Sequence, residues 1–387
     1  MRFHTLLYFI LLTSLFWGCK KNTPDLLLSK GLYIKTAPIP NFTLSQNIIS
    51  LADGTFWIHL EDNTSFTGTL FCHYNSVFEL IDSVRIKDNY QLSFRMPSDN
   101  QIVFPAFKYD ASFLNIIEGN ILTFNTNFKI IKSTNQVLQY QALTYYDPIF
   151  RTTQLTNGTI IGALECATSD NKILQYYDSA KITLAAYPPD LNRAPVWINL
   201  NPYWDYSNQI INTRLLDLAN DGNDFYLLLL TNNLNLILRK HDDHGNLVWQ
   251  KIIDSNYNNS TYFRIEQNRI IIYNYDTGKN LILNKSGEIL RKMTLTNYMM
   301  FLNINNSDQY FATVHLMTSD GNFAEIRILD ANFNTIKSKR FGSHDLIFAI
   351  SAKQKDGTFI CVSEILIKNQ FKKLLFIKLD KNLNVIE

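Results

Sequence analysis

An aspartate or asparagine, two to four polar or turn-forming residues and then an apolar strand recur seven times along this chain. No other feature restricts its fold as much. The copies centre on Asn75, Asn125, Asp190, Asp242, Asn284, Asp330 and Asp380, as in KHDDHGNLVWQKI, LNKSGEIL, LDANFNTI and LDKNLNVI. The steps between them are 50, 65, 52, 42, 46 and 50 residues, a mean of about 51, and repeats of that length belong to propeller blades and related arrays. Ahead of each copy lies a tight polar turn and a strand rich in aromatic and β-branched residues, as in LADGTFWIHL, LTNGTIIGAL, LANDGNDFYLLLL and KQKDGTFICVSEI. Asp-Gly and Asn-Gly supply the positive φ that two-residue hairpins demand.

Each unit therefore reads strand A, tight turn, strand B, variable loop, strand C, Asp/Asn turn, strand D. Repeated seven times, this predicts an all-β chain forming a seven-bladed β-propeller of four-stranded antiparallel blades. Six or eight blades are the alternatives, because the unit around Asp190 is irregular and the first two match least well. No segment carries a sustained helical period with caps. The chain ends at Glu387, a few residues into the last strand D, so a strand at 31–39 is placed to pair there and close the ring.

The N-terminus MRFHTLLYFILLTSLFWGCKKN joins a basic Arg2, an apolar run from Leu6 to Phe16, and Gly18-Cys19. This reads as a secretory signal rather than a membrane span. Residues 1–18 are assigned as signal peptide, 19–47 as N-terminal linker and 48–387 as the propeller. The segment resembles a bacterial lipoprotein signal, which implies that Cys19 becomes the acylated, palmitate-bearing first residue of the mature protein; an ordinary cleaved signal with an incidental cysteine is the alternative. Membrane contact through that lipid is expected on the periplasmic side of the outer membrane, since two lysines and no acidic run follow Cys19.

Net charge is +2, with 18% charged residues and no extended basic cluster, which removes the electrostatic case for a nucleic-acid partner. Cys72, Cys166 and Cys361 lie in apolar runs and read as buried free thiols. H-E-x-x-H, G-x-S-x-G, Walker and G-x-G-x-x-G signatures are all missing, so no catalytic residue and no cofactor is assigned. His241, Asp242, Asp243 and His244 form the densest cluster of metal-ligand types, but they occupy a strand C to D turn and offer two imidazoles with no third ligand. No metal is assigned to them.

The units resemble the bacterial PQQ-like propeller repeats, whose blades end in an Asp, a turn glycine and an apolar strand with tryptophan, as in DDHGNLVWQKI and, without the tryptophan, NKSGEILRKMTL. The whole looks like the lipid-anchored propeller proteins of Bacteroidetes. Quinoprotein dehydrogenases of that superfamily hold a quinone through calcium and, in several, an adjacent cysteine pair; no adjacent cysteines occur here. The resemblance implies the fold and not the activity.

Strand alternation puts the A/B and C/D turns at one end of every blade, the turn end, and the B/C loops and D/A connections at the other, the loop end. Binding residues favour irregular loops on a rigid scaffold, and the longest loop-end segments are aromatic. Tyr145, Tyr146, Tyr176, Tyr177, Tyr203, Trp204 and Tyr206 are the candidate ligand-binding residues, suited to stacking on sugar rings or anchoring a protein partner. The function expected is a lipid-anchored extracytoplasmic binding or interaction scaffold without catalysis. The alternative is a propeller enzyme acting on carbohydrate, a hydrolase or lyase, for which the strand A segments offer Arg214, Asp217, Arg264 and Glu266.

Overall fold

The computed structural model describes residues 32–38, 42–51, 53–62, 69–86, 90–92, 102–109, 116–124, 130–136, 149–167, 180–189, 193, 196–198, 205–206, 209–210, 213–231, 233–266, 268–274, 276–294, 299–303, 309–318, 321–330, 332, 334–341, 347–353, 356–366 and 372–386. Among them there is no helix, and the strands form seven four-stranded antiparallel sheets and one two-stranded hairpin.

In strand order A to D, sheet 1 is Phe42–Ser50, Phe56–Asp62, Thr69–Tyr74 and Leu80–Ile86. Sheet 2 is Tyr90–Leu92, Ile102–Tyr109, Ile116–Phe124 and Ile130–Gln136. Sheet 3 is Ile149–Gln154, Ile160–Ala167, Ala180–Tyr187 and Val196–Ile198. Sheet 4 is Thr213–Asp221, Asp224–Thr231, Asn235–His241 and Leu247–Ser255. Sheet 5 is Thr261–Glu266, Arg269–Asn274, Lys279–Asn284 and Ile289–Thr294. Sheet 6 is Met299–Asn303, Tyr310–Thr318, Gly321–Leu329 and Thr335–Phe341. Sheet 7 takes strands A to C from Ile347–Lys353, Phe359–Leu366 and Lys372–Leu379, and its strand D from Leu32–Thr36 near the other end of the chain. The first sheet starts at Phe42, ahead of the expected boundary at residue 48.

Consecutive sheets touch, and strand A of sheet 1 packs on strand A of sheet 7, so the series returns to its start as the blades of a β-propeller do. The hydrophobic core is accordingly divided between sheet interfaces. Strand B of sheet 4 shows why its sequence reads DFYLLLLT without polar alternation. Phe225, Leu227 and Leu229 face sheet 3, while Tyr226, Leu228 and Leu230 face sheet 5. A strand buried on both faces needs apolar residues at every position. The outermost strand of sheet 6, Thr335–Phe341, is exposed at every residue except the last, and TIKSKRF is polar to match.

The turn end is built from one corner used five times among the described residues. At Asn75, Asp242, Asn284, Asp330 and Asp380 the backbone N–H donates to the carbonyl four residues on. The side-chain Oδ1 accepts from the amides two and four residues on. The residue three on has positive φ: Phe78 at 63°, Gly245 at 84°, Gly287 at 78° and Leu383 at 62°. The pairing across the corner is complementary: Asp242, Asp330 and Asp380 each accept from an asparagine side chain at 2.7–3.0 Å, whereas Asn75 and Asn284 donate to Glu79 and Glu288 at 3.1 and 2.8 Å. One partner is always an amide and the other a carboxylate, because an amide can donate and a carboxylate only accepts.

Near its start the outer strand of sheets 1, 2, 4, 5 and 6 carries a β-bulge, which falls on Ile81, Ile131, Val248, Leu290 and Ile336. The extra residue has no cross-strand partner. Ile81, Val248, Leu290 and Ile336 are 52–55% exposed, a repeated aliphatic position on the outer rim near the turn end.

Candidate functional site

The histidine-rich segment forms one of these corners. His241 is fully buried, stacked on Phe225 at 5.0 Å and 6°, with Nδ1 3.0 Å from the Gly245 carbonyl. Burial lowers its pKa to about 4, so the ring is neutral at physiological pH. His244 points into solvent on the corner itself. The two imidazoles thus occupy different environments, and among the described residues no group of three or more His, Cys, Asp or Glu is placed to hold a metal ion. Cys72 and Cys361 are buried free thiols, and desolvation raises both pKa values, that of Cys72 to about 12. The side chain of Cys166 lies outside the described residues.

At the loop end, two glutamates hold neighbouring sheets together in the same way. Glu165 and Glu364 sit near the end of strand B, each opposite the first residue of strand A in its sheet, Ile149 and Ile347. Each accepts a hydrogen bond from the third residue of the following strand A: Leu215 N–H donates to Glu165 Oε2 at 2.6 Å, and Leu44 N–H donates to Glu364 Oε1. A buried N–H with no ladder partner needs such an acceptor. Asp217, fully buried on strand A of sheet 4, makes the third inter-sheet clamp, accepting from Phe263 N–H of sheet 5 at 3.1 Å and from Leu218 N–H at 2.9 Å.

The Glu165 clamp differs in its surroundings. Arg214, next to the receiving amide, donates from Nε to Glu165 Oε1 at 3.1 Å, and Arg151 on strand A of sheet 3 adds a second positive charge nearby. After Glu364 the corresponding residue is Thr43. Burial raises the Glu165 pKa, and Arg214, the Leu215 amide and Arg151 pull partly against it. Both carboxylate oxygens are engaged, Oε1 by Arg214 and Oε2 by the Leu215 amide.

This cluster is where the aromatic connections begin and end. Arg151 follows segment 137–148, Glu165 precedes segment 168–179, and Arg214 follows segment 199–212. Tyr145, Tyr146, Tyr176, Tyr177, Tyr203 and Trp204 lie outside the described residues, as does Cys19. Of Tyr206 the backbone is described: it pairs with Gln209 in the short hairpin Asp205–Tyr206/Gln209–Ile210, within the connection from sheet 3 to sheet 4. Among the strand A residues, Arg214 and Asp217 are structural partners, Arg264 is half-buried opposite Ile271, and Glu266 pairs with Arg269 with its side chain outside the described residues.

The next connection, 256–260, is of another kind. Asn258 Oδ1 accepts from Ser260 N–H at 3.1 Å and Asn274 Nδ2 at 2.6 Å, its Nδ2 donates to Asp276 at 2.7 Å, and Asn274 Oδ1 accepts from the amide and hydroxyl of Thr277 at 2.8 Å. Its polar groups are spent on one another.

Glu165 and Arg151 are not apparent in the sequence as site residues. The signal available was a lone carboxylate at the end of an otherwise apolar strand B, in IIGALECA and again in FICVSEIL.

No family model matches the chain, and no curated protein matches it. Among solved structures it is similar to a streptogramin B lyase, at 11% identity and TM-score 0.50, over 92% of this chain and 98% of that one. It also aligns with a prolyl endopeptidase, at 10% identity and TM-score 0.48, over 89% of this chain and 48% of that one. A member of the DUF4221 family from Bacteroides vulgatus aligns at 10% identity and TM-score 0.41, over 89% and 97% of the two chains. The first likeness supports the propeller fold; identities this low carry the fold alone.

Proposed function

We propose that this chain is a lipid-anchored extracytoplasmic binding module, held through Cys19 on the periplasmic side of the outer membrane, that takes a carbohydrate or protein ligand at the loop end between sheets 3 and 4 and catalyses no reaction. The observation that carries the reading is the convergence of the three long, aromatic-bearing connections on Arg151, Glu165 and Arg214. Tyrosine and tryptophan offer rigid amphipathic surface, and a positioned arginine adds a directional donor for a hydroxyl or carboxylate. Binding is favoured over acid/base chemistry because the buried carboxylates Glu165 and Asp217 each spend both oxygens on amide or guanidinium donors. The resemblance to PQQ-like repeats bears on the scaffold only.

The test is affinity electrophoresis through gels containing acidic and neutral polysaccharides. The wild-type protein is retarded by at least one of them, and the Tyr203→Ala/Trp204→Ala variant migrates freely while keeping its urea unfolding midpoint. Retention of binding by that variant places the site elsewhere; no retardation of the wild type leaves a protein ligand. Palmitate-analogue incorporation that survives Cys19→Ala removes the anchor from the reading.

A further inference from the structure

The outer strand of sheet 7 is assembled from both ends of the chain. Val385 bridges to Leu379 and Ile386 N–H donates to the Lys378 carbonyl at 2.9 Å, after which Leu32 pairs with Ile377 and Thr36 with Lys373. Lys372–Leu379 runs from the loop end to the turn end, so Leu32 lies towards the turn end and Thr36 at the loop end. The chain preceding Leu32 therefore departs from the outer rim near the turn end, whereas Arg151, Glu165 and Arg214 sit at the opposite end.

Only the twelve residues 20–31 separate Cys19 from that exit. A coil of twelve residues has a root-mean-square span of about 20 Å, and twelve residues reach at most about 40 Å. A strand the length of Lys372–Leu379 is itself about 26 Å tall. An anchor at Cys19 thus brings the turn end to the bilayer with a relaxed tether. Seating the loop end there would require the tether to climb the height of the sheet as well, which exceeds its relaxed span and disfavours that orientation.

We propose that the anchored protein stands with its turn end against the lipid surface and its loop end, with the Arg151–Glu165–Arg214 cluster, directed away from it. This rests on the reading that Cys19 carries the lipid. The rim on the membrane side bears the half-exposed Ile81, Val248, Leu290 and Ile336, and aliphatic side chains in a ring are suited to the headgroup boundary. The corner carboxylates Asp242, Asp330 and Asp380 are satisfied within their turns and keep this end at headgroup level, outside the hydrocarbon.

The test uses full-length lipidated protein in a Cys166→Ala background, floated on phosphatidylcholine vesicles that contain an acceptor-labelled lipid. A donor fluorophore is placed by His244→Cys or by Asn259→Cys. Both positions are exposed, and they flank the same outer strand, Leu247–Ser255, at its turn end and its loop end. Energy transfer to the membrane is expected to be at least about twofold more efficient from position 244, the two probes differing in height by about 30 Å. Equal transfer, or more from position 259, in protein that floats overturns the orientation alone. Protein that does not float overturns the anchor and the orientation with it.

Discussion

At the turn end, corners as distant in sequence as Asn75 and Asp380 place the same hydrogen bonds on the same backbone, whereas the loop-end connections differ in kind: 256–260 is short and internally saturated, and 199–212, which joins sheet 3 to sheet 4, is long and aromatic in sequence. In the proposed reading, uniformity at one end and divergence at the other separate the work of holding the ring from the work of meeting a partner. The two glutamate clamps make the same point within the loop end: Glu165 and Glu364 reach the same backbone position, and the arginines gather round the one beside the long connections.

The comparison is broken most directly at a corner that also packs between sheets. A Cβ on Gly287 would lie 2.9 Å from the Trp249 ring of sheet 4 and 3.1 Å from Lys251, at a φ of 78° that L residues rarely adopt. Gly287→Ala is expected to lower the unfolding free energy by about 3 kcal/mol, through strain and overpacking together. Gly54 has a similar φ of 84° but nothing within 4 Å, so Gly54→Ala loses only about 1 kcal/mol. Equal losses in urea melts would show that Trp249 contributes nothing to the difference.

The complementarity rule is sharpened by a swap. Asn246→Asp sets a carboxylate against Asp242 and is expected to lose about 1–2 kcal/mol at neutral pH. Asp242→Asn combined with Asn246→Glu recreates the pairing of Asn284 with Glu288 and recovers most of that loss. A double variant less stable in thermal melts than the single one refutes the rule.

The smallest effect separates the ends by the sign of their pH dependence. Asp330 is held below its ordinary pKa mainly by the Asn334 amide; at Asp242 and Asp380 burial opposes the shift, and hydrogen bonds from the corner residues overcome it. Their contribution is full above the unfolded aspartate pKa of about 3.9 and is lost as pH falls through the lower folded values. Glu165 is shifted upward by burial, so its contribution declines as pH rises from the unfolded glutamate value of about 4.3 through the folded one. Glu165→Gln should remove the second slope from a plot of urea midpoint against pH and leave the first. Loss of both would mean that the ends are electrostatically coupled.

Much of the turn end is readable in the sequence because its physics is local. Asp53-Gly54, Asn157-Gly158 and Asp356-Gly357 announce hairpins through backbone conformation, and all three glycines have positive φ. The doubly buried strand Asp224–Thr231 declares itself by an unbroken apolar run. The partner four residues after each corner residue is visible too, but its function needs the turn geometry. The loop end is less legible because its meaning is tertiary: Glu165 and Glu364 become equivalent only once strands are registered against neighbouring sheets. The aromatic connections stand out by composition, whereas Arg151 and Arg214 are separated in sequence and come near one carboxylate, Glu165, only once sheets 3 and 4 pack together.

Leu32–Thr36 has its own consequence in the history of the molecule. In the sequence it lies about 340 residues from its pairing partner Lys372–Leu379. Until the two pair, the folding propeller exposes an unpaired edge on sheet 7 and an uncovered apolar flank on sheet 1, the two surfaces that later join in a single core of Phe56, Tyr74 and Phe376. Ring closure is thus a contact of long sequence separation, the kind that carries a large loop-closure entropy. Any delay in that pairing prolongs the interval in which a second chain can take the open edge.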